Sequence, residues 1–178
     1  NFSKILIFAD YSFRYPEKKK ILLFDNNLEF FLKKYVNKNQ YTVLFSRHKK
    51  YNFLIILKLI FKFRFSSLNY FNDYIEYVDP KILITFSDNY PIFYKLKVPK
   101  NTKKIFAQAA NRTKAGGDVF DKIKELKKSK KFNKVDEMLV FNKKVGEEYK
   151  KFIHGNVRVI GSIRSNAFNI NLKKKKFD

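Results

Sequence analysis

Six short apolar runs set the rhythm of this chain: ILLFD (21–25), YTVLF (41–45), KILITF (81–86), KKIFAQ (103–108), DEMLVFN (136–142) and VRVIGS (157–162). They are too short for helices and rich in Ile, Val, Leu and Phe. Such runs read as strands, and a near-continuous apolar run reads as a strand covered on both faces. KILIF at 4–8 has the same character and is read as an edge strand. Between the runs the period changes. NLEFFLKKYV (27–36) sets Leu28, Phe31, Leu32 and Tyr35 at helical spacing, and SLNYFNDYIEYV (67–78) leads to Pro80, which stops it. VFDKIKELKKSK (119–130) follows Asp118 as N-cap, and NKKVGEEYKKFI (142–153) repeats the pattern.

Strands alternating with helices imply an α/β domain with an open, mainly parallel sheet and helices on both faces, a Rossmann-like fold. With 178 residues, 45% hydrophobic and 18% aromatic, the chain can bury one core. We read 21–162 as the Rossmann-like domain, 1–20 as an N-terminal extension or edge strand, and 163–178 as the start of a linker to a further domain. The chain opens on Asn and closes on NLKKKKFD without a structural ending, so a segment of a longer protein is expected. The lysine runs at 127–131 and 173–176 read as solvated faces.

Composition narrows the chemistry. With no cysteine and two isolated histidines, His48 and His154, the chain offers no disulfide framework, thiol nucleophile, thiolate zinc site or imidazole cluster, and no metal is expected. The net charge of +23 is made of 33 Lys and only 6 Arg, beside abundant Asn, Phe, Ile and Tyr. AT-rich codons produce that mixture without selection for binding. Arg, the residue suited to bidentate base and phosphate recognition, is scarce, so nucleic acid is disfavoured as a partner. Attraction to an anionic membrane or substrate ranks above it. NFLIILKLIFKFRF (52–65) is apolar apart from Lys58, Lys62 and Arg64 and too short to span a bilayer. It is either a helix sandwiched in the core or one that docks on a membrane surface. In the first twenty residues Arg14, Lys18, Lys19 and Lys20 come after the apolar run instead of before it, so no signal peptide is read and a cytoplasmic location is expected.

Ligands of open α/β sheets bind beyond the carboxyl ends of the strands. Those ends carry Asp25, Asn26 and Asn27; Ser46, Arg47 and His48; Ser87, Asp88 and Asn89; Gln108, Asn111 and Arg112; Asn142; and Gly161 and Ser162. The same residue types are ordinary turn and cap formers, so Asp88 and Asn89 read equally as a turn with a cap, Asn89 capping a short helix whose first turn holds Pro91. His48 reads better as a surface-loop residue than as a catalytic one. Arg112 sits in a loop with Gly116 and Gly117 ahead of a helix start, a setting that can hold an anion. GxGxxG, GxxxxGK[ST], GxSxG, HExxH and DxD motifs are absent, which argues against a dehydrogenase, P-loop NTPase, serine hydrolase, zinc protease or metal-dependent DxD transferase.

The succession KILITFSDNYPIFYKLK, KKIFAQAANRTKAGGDVF and VDEMLVFNKKVGEEYKKFIHGNVRVIGSIRSN resembles the N-terminal half of glycosyltransferase-B type bacterial surface-carbohydrate biosynthesis proteins. The resemblance covers roughly 21–170. It rests on Asp88, Asn89, Phe93, Tyr94, Gln108, Arg112, Asp118, Phe120, Phe141, Asn142, Gly155, Gly161 and Ser162. It departs at Ala109 and Ala110, where the family pattern has a Gln-Asn-Gly turn.

The resemblance implies an acceptor-side domain of a glycosyltransferase acting in capsule or lipopolysaccharide synthesis, at the inner face of the plasma membrane. Its acceptor would be lipid-linked or a polysaccharide. A sugar nucleotide would serve as donor, bound mainly by a second domain, and no cofactor is implied. Asp88 would be the general base, and Ser87, Asn89, Gln108, Asn111, Arg112 and Asn142 would bind substrate, Asn89, Gln108 and Asn142 through sugar hydroxyls. Arg112 with the amides of Gly116 and Gly117 would bind phosphate. The alternatives are a non-catalytic Rossmann-like domain for a nucleotide or a protein, and a basic nucleic-acid binder.

Overall fold

The computed structural model describes residues 10–26, 29–47, 50–110, 133–163 and 165. In chain order its strands are β1 (Asp10–Ser12), β2 (Ile21–Phe24), β3 (Tyr41–Leu44), β4 (Lys50–Asn52), β5 (Ile82–Thr85), β6 (Lys103–Ala107), β7 (Lys134–Val140) and β8 (His154–Val159). Six of them form a central parallel sheet in the order β3-β2-β5-β6-β7-β8. The two three-residue strands, β1 and β4, pair in parallel as a separate ribbon. The fold is α/β, open and Rossmann-like, as the alternation of apolar runs requires.

Successive strand residues face opposite sides, and the core divides accordingly. Leu23, Ile84, Ala107 and Leu139 point to the smaller side, towards Leu32 of α1 (Glu29–Leu32) and Ile163. Leu22, Phe24, Leu83, Phe106, Met138 and Val140 enter the larger core. It is closed by α2 (Phe53–Phe61), α3 (Ser67–Val78), α4 (Ile92–Lys95) and α5 (Lys143–Lys150). Both faces are therefore apolar, which explains why the strands read as continuous runs instead of alternating ones.

The helix ends follow local chemistry. Ser66 Oγ accepts from the Asn69 amide at 3.1 Å, and Asn142 Oδ1 accepts from the Val145 amide at 2.9 Å, so α3 and α5 each begin with a capped donor. The α3 helix ends at Asp79, with φ of 49°, just before Pro80. Close packing of α5 on β8 depends on Gly146, where an added Cβ would lie 2.4 Å from Val157 Cγ1.

Several expectations change. Of the helix expected at 27–36 the described part is regular over Glu29–Leu32, and Lys34 and Tyr35 continue it as tighter turns bonded three residues back. Asn89 does not cap α4. Pro91 occupies the N-cap position with no side-chain bond, and Asn89 is exposed. The 52–65 segment forms a helix only to Phe61, and the core takes one face of it, Ile55, Ile56 and Leu59. The last strand starts at His154, three residues ahead of the apolar pattern. KILIF at 4–8 and the helix of 119–130 lie outside the described residues.

Candidate functional site

The sheet reverses its winding between β2 and β5: the chain passes from β2 to β3 on one side, then returns to β5 on the other side and steps outward to β8. Open α/β sheets bind ligands outside the carboxyl ends at such a reversal. Here that edge is built from Asp25 after β2, Ser46 and Arg47 after β3, and Ser87 and Asp88 after β5.

Asp25 anchors one half of the edge. Its amide continues the ladder to Leu44 O at 2.8 Å, while its own backbone turns into the left-handed region with φ of 74°. Asp tolerates that conformation because its short polar side chain bonds locally, here by accepting the Asn26 amide at 2.8 Å. The second carboxylate oxygen receives Arg47 Nε at 2.7 Å and the Ser87 hydroxyl at 3.4 Å. Arg47 also reaches Ser87 Oγ at 3.4 Å. The carboxylate is 2% exposed and the guanidinium side chain 46%, so a buried anion holds a half-exposed cation in place.

Beside it, Ser46 is fully buried and its hydroxyl has no hydrogen-bond partner among the described residues. Buried hydroxyls are normally satisfied, so this one is an exception, as are Asp73 Oδ2 and Asn133 Oδ1 elsewhere in the fold. The Ser46 carbonyl accepts from Tyr90 at 3.1 Å. The Tyr90 hydroxyl is pushed above its ordinary pKa by burial and then by the nearby Asp25 charge, with Arg47 opposing, so it remains a donor.

Asp88 anchors the other half. Tyr149 of α5 donates to its Oδ2, and the Tyr94 hydroxyl of α4 donates to its backbone carbonyl at 2.7 Å. At 2% exposure it is buried beside the fully buried Tyr149, whose ring packs edge-on against Phe106 at 4.9 Å between centroids. Gln108 is fully buried: its amide donates to Ala110 O at 2.9 Å and its carbonyl accepts the Phe141 amide at 2.9 Å. Asn142 is exposed and caps α5.

Of the residues nominated from sequence, the structure joins Ser87 to the Asp25–Arg47 pair and Asp88 to Tyr149, while Gln108 spans the ends of β6 and β7. Asn89 stands exposed beyond them. Asn111, Arg112, Gly116, Gly117 and His48 lie outside the described residues. Arg47 and Asp25 stand among the strand ends, yet nothing local in the sequence prefers them to their neighbours. The signal is their position, since β2 and β3 pair with Phe24 opposite Leu44, which puts the next residues of both strands at one edge.

Fold and edge together define an open Rossmann-like α/β domain with a charged, partly buried polar site at its topological reversal. A family model described as "putative O-antigen biosynthesis protein" matches residues 105–178, from β6 onward. That similarity links the C-terminal part of the chain to surface-carbohydrate biosynthesis. No curated protein and no solved structure matches the chain.

Proposed function

We propose that this chain supplies the acceptor-binding half of a glycosyltransferase-B type enzyme that builds a bacterial surface polysaccharide on a lipid-phosphate carrier. The observation that carries the reading is the Asp25–Arg47–Ser87 cluster at the sheet reversal. A guanidinium fixed through Nε by a buried carboxylate presents a planar set of donors at the ligand edge, and phosphate geometry matches that fork. The similarity of 105–178 to an O-antigen biosynthesis family supports the substrate class.

In this reading Arg47 grips a phosphate of the acceptor carrier, and Asp25 and Ser87 position it. Asp88 is the base for the acceptor hydroxyl. A base must come within hydrogen-bond reach of the proton it takes, so acceptor binding has to uncover Asp88 and replace the Tyr149 hydroxyl with the acceptor's own. Asn89 and Asn142, both exposed, bind sugar hydroxyls, and Arg112 with the Gly116 and Gly117 amides adds a second phosphate contact. The donor is a sugar nucleotide held mainly by a second domain.

The test uses the full-length protein, a lipid-phosphate-linked acceptor and a panel of nucleotide sugars. Transfer is expected. Arg47→Ala should raise the acceptor KM about ten- to a hundredfold with kcat little changed, the equivalent of one or two charge-assisted hydrogen bonds. Nucleotide binding without transfer from any donor would instead support the non-catalytic binding domain. An unchanged KM would remove Arg47 from the acceptor site.

A further inference from the structure

The α2 helix has two apolar faces, and the described residues bury only one. Ile55, Ile56 and Leu59 are buried. Phe53, Leu57, Ile60 and Phe61, spaced i, i+4, i+7 and i+8, form a stripe on the outer side that is half-buried to exposed. Phe13 extends it at one end, with its ring 5.2 Å from Phe53. At the other end the stripe passes into a turn where Phe61, Phe63 and Phe65 are 79%, 85% and 59% exposed.

That turn is built in an unusual way. The Arg64 amide bonds to Leu59 O and the Phe63 amide to Ile60 O, both at 3.0 Å. These are the two bonds of a Schellman helix ending, whose left-handed position is normally glycine because a Cβ there is strained. Phe63 occupies it, with φ of 51°. The Arg64 guanidinium locks the far side, 3.3 Å from the buried Asp73 carboxylate and 3.2 Å from Asn69 Oδ1. A bulky residue in a glycine slot, held by an ion pair and facing solvent, has no packing function within the described residues.

We infer that this face is a docking surface for an anionic lipid bilayer, with α2 lying in the plane of the interface and Phe61, Phe63 and Phe65 inserted among the headgroups. Charge selects the occupant. From Phe53 to Phe65 there is no acidic residue, whereas Lys58, Lys62 and Arg64 interleave with the phenylalanines, on a chain of net charge +23. Lys58 lies 3.6 Å from the exposed Glu76 and Arg64 is held by Asp73, which leaves Lys62 beside the exposed phenylalanines without an ion pair among the described residues. Aromatic residues beside cations on a short amphipathic helix suit the boundary between headgroups and acyl chains. No helix of the described residues is long and apolar enough to cross a membrane. The surface stands on these residues alone and does not depend on the transferase reading.

The experiment exploits the left-handed Phe63. Phe63→Gly relieves backbone strain, so its melting temperature should hold or rise while its binding to phosphatidylcholine vesicles containing phosphatidylglycerol falls. The double variant Phe61→Ser/Phe63→Gly should bind about tenfold more weakly or worse. Wild-type binding should weaken in high salt and on pure phosphatidylcholine. Because the chain has no tryptophan, Phe61→Trp gives a single reporter whose emission should shift to the blue on anionic vesicles. Four results would overturn the inference: flotation of wild type with neither vesicle, undiminished binding by the double variant, binding with no emission change in Phe61→Trp, or concentration-dependent self-association lost in Phe63→Gly with no vesicle binding.

Discussion

Lys104 offers a quantitative check on how the sheet is built at the edge away from the site. Its side chain lies in the core at 5% exposure, and Nζ donates to the carbonyls of Tyr94 at 3.1 Å and Leu96 at 2.9 Å, at the end of α4. Burial lowers its pKa from 10.5 to about 8, with the Asp136 carboxylate opposing that change. The folded protein therefore binds this proton less tightly than the unfolded chain. Below pH 8 both states are protonated and the fold bears the cost of a buried cation. Between pH 8 and 10.5 only the unfolded chain holds the proton, so stability rises with pH. From pH 7 to 9.5 the gain is about 2 kcal/mol, because each pH unit above the folded pKa adds about 1.36 kcal/mol. Higher pH obscures it, since burial pushes Tyr74 up to about 12, and stability from that group drains away once the unfolded tyrosine ionises near pH 10. Urea denaturation at pH 7, 8 and 9.5 on wild type and Lys104→Met supplies the measurement. General relief of the chain's positive charge affects both proteins, so the difference in their slopes isolates Lys104. Equal slopes would refute a buried cation at this position.

Two further outcomes test the clasps that assemble the site. Tyr149→Phe removes the donor to the buried Asp88 carboxylate and should cost about 1.5–3 kcal/mol of stability, read from the urea midpoint; a loss under about 0.5 kcal/mol would show that water or another donor takes its place. Gly146→Ala drives a methyl into Val157 and should destabilise by about 1–3 kcal/mol, lowering the melting temperature, whereas an unchanged value would show that α5 can slide away from β8.

The central architecture is legible in the sequence because a parallel sheet covered on both faces leaves a one-dimensional trace: short apolar runs, most of them followed by a helical period. ILLF, YTVL, ILIT and KKIFA are β2, β3, β5 and β6 with boundaries within a residue or so of the pattern, and Ser67–Val78 is α3 without change. The ribbon of β1 and β4 is not legible, because three-residue strands carry no measurable period. Lys104 is equally hidden. A lysine near the start of a strand, in a chain crowded with lysines, looks like a solvated residue, and only the packing of α4 over β6 buries it. Local sequence favours Arg112 over Arg47 because Arg112 has a glycine loop beside it, while the partner of Arg47 sits twenty-two residues away on the neighbouring strand.

The residues that carry the family resemblance have identifiable structural work. Asp88 ties the end of β5 to α4 and α5 through two tyrosines, Gln108 ties the loop after β6 to the end of β7, and Asn142 starts α5. Each joins one carboxyl-edge loop to the next element, so a chain that keeps this sheet needs such residues whether or not it transfers a sugar. A side chain whose polar atoms are engaged within the fold meets a ligand only by exchanging partners, and that exchange costs the bond it gives up. Resemblance at these positions therefore reports the fold before it reports the reaction. Among the described residues at this edge Arg47 is half-exposed and held by the buried Asp25 carboxylate at the sheet reversal, so the proposed phosphate contact asks the fold to give up less than the proposed role of Asp88 does.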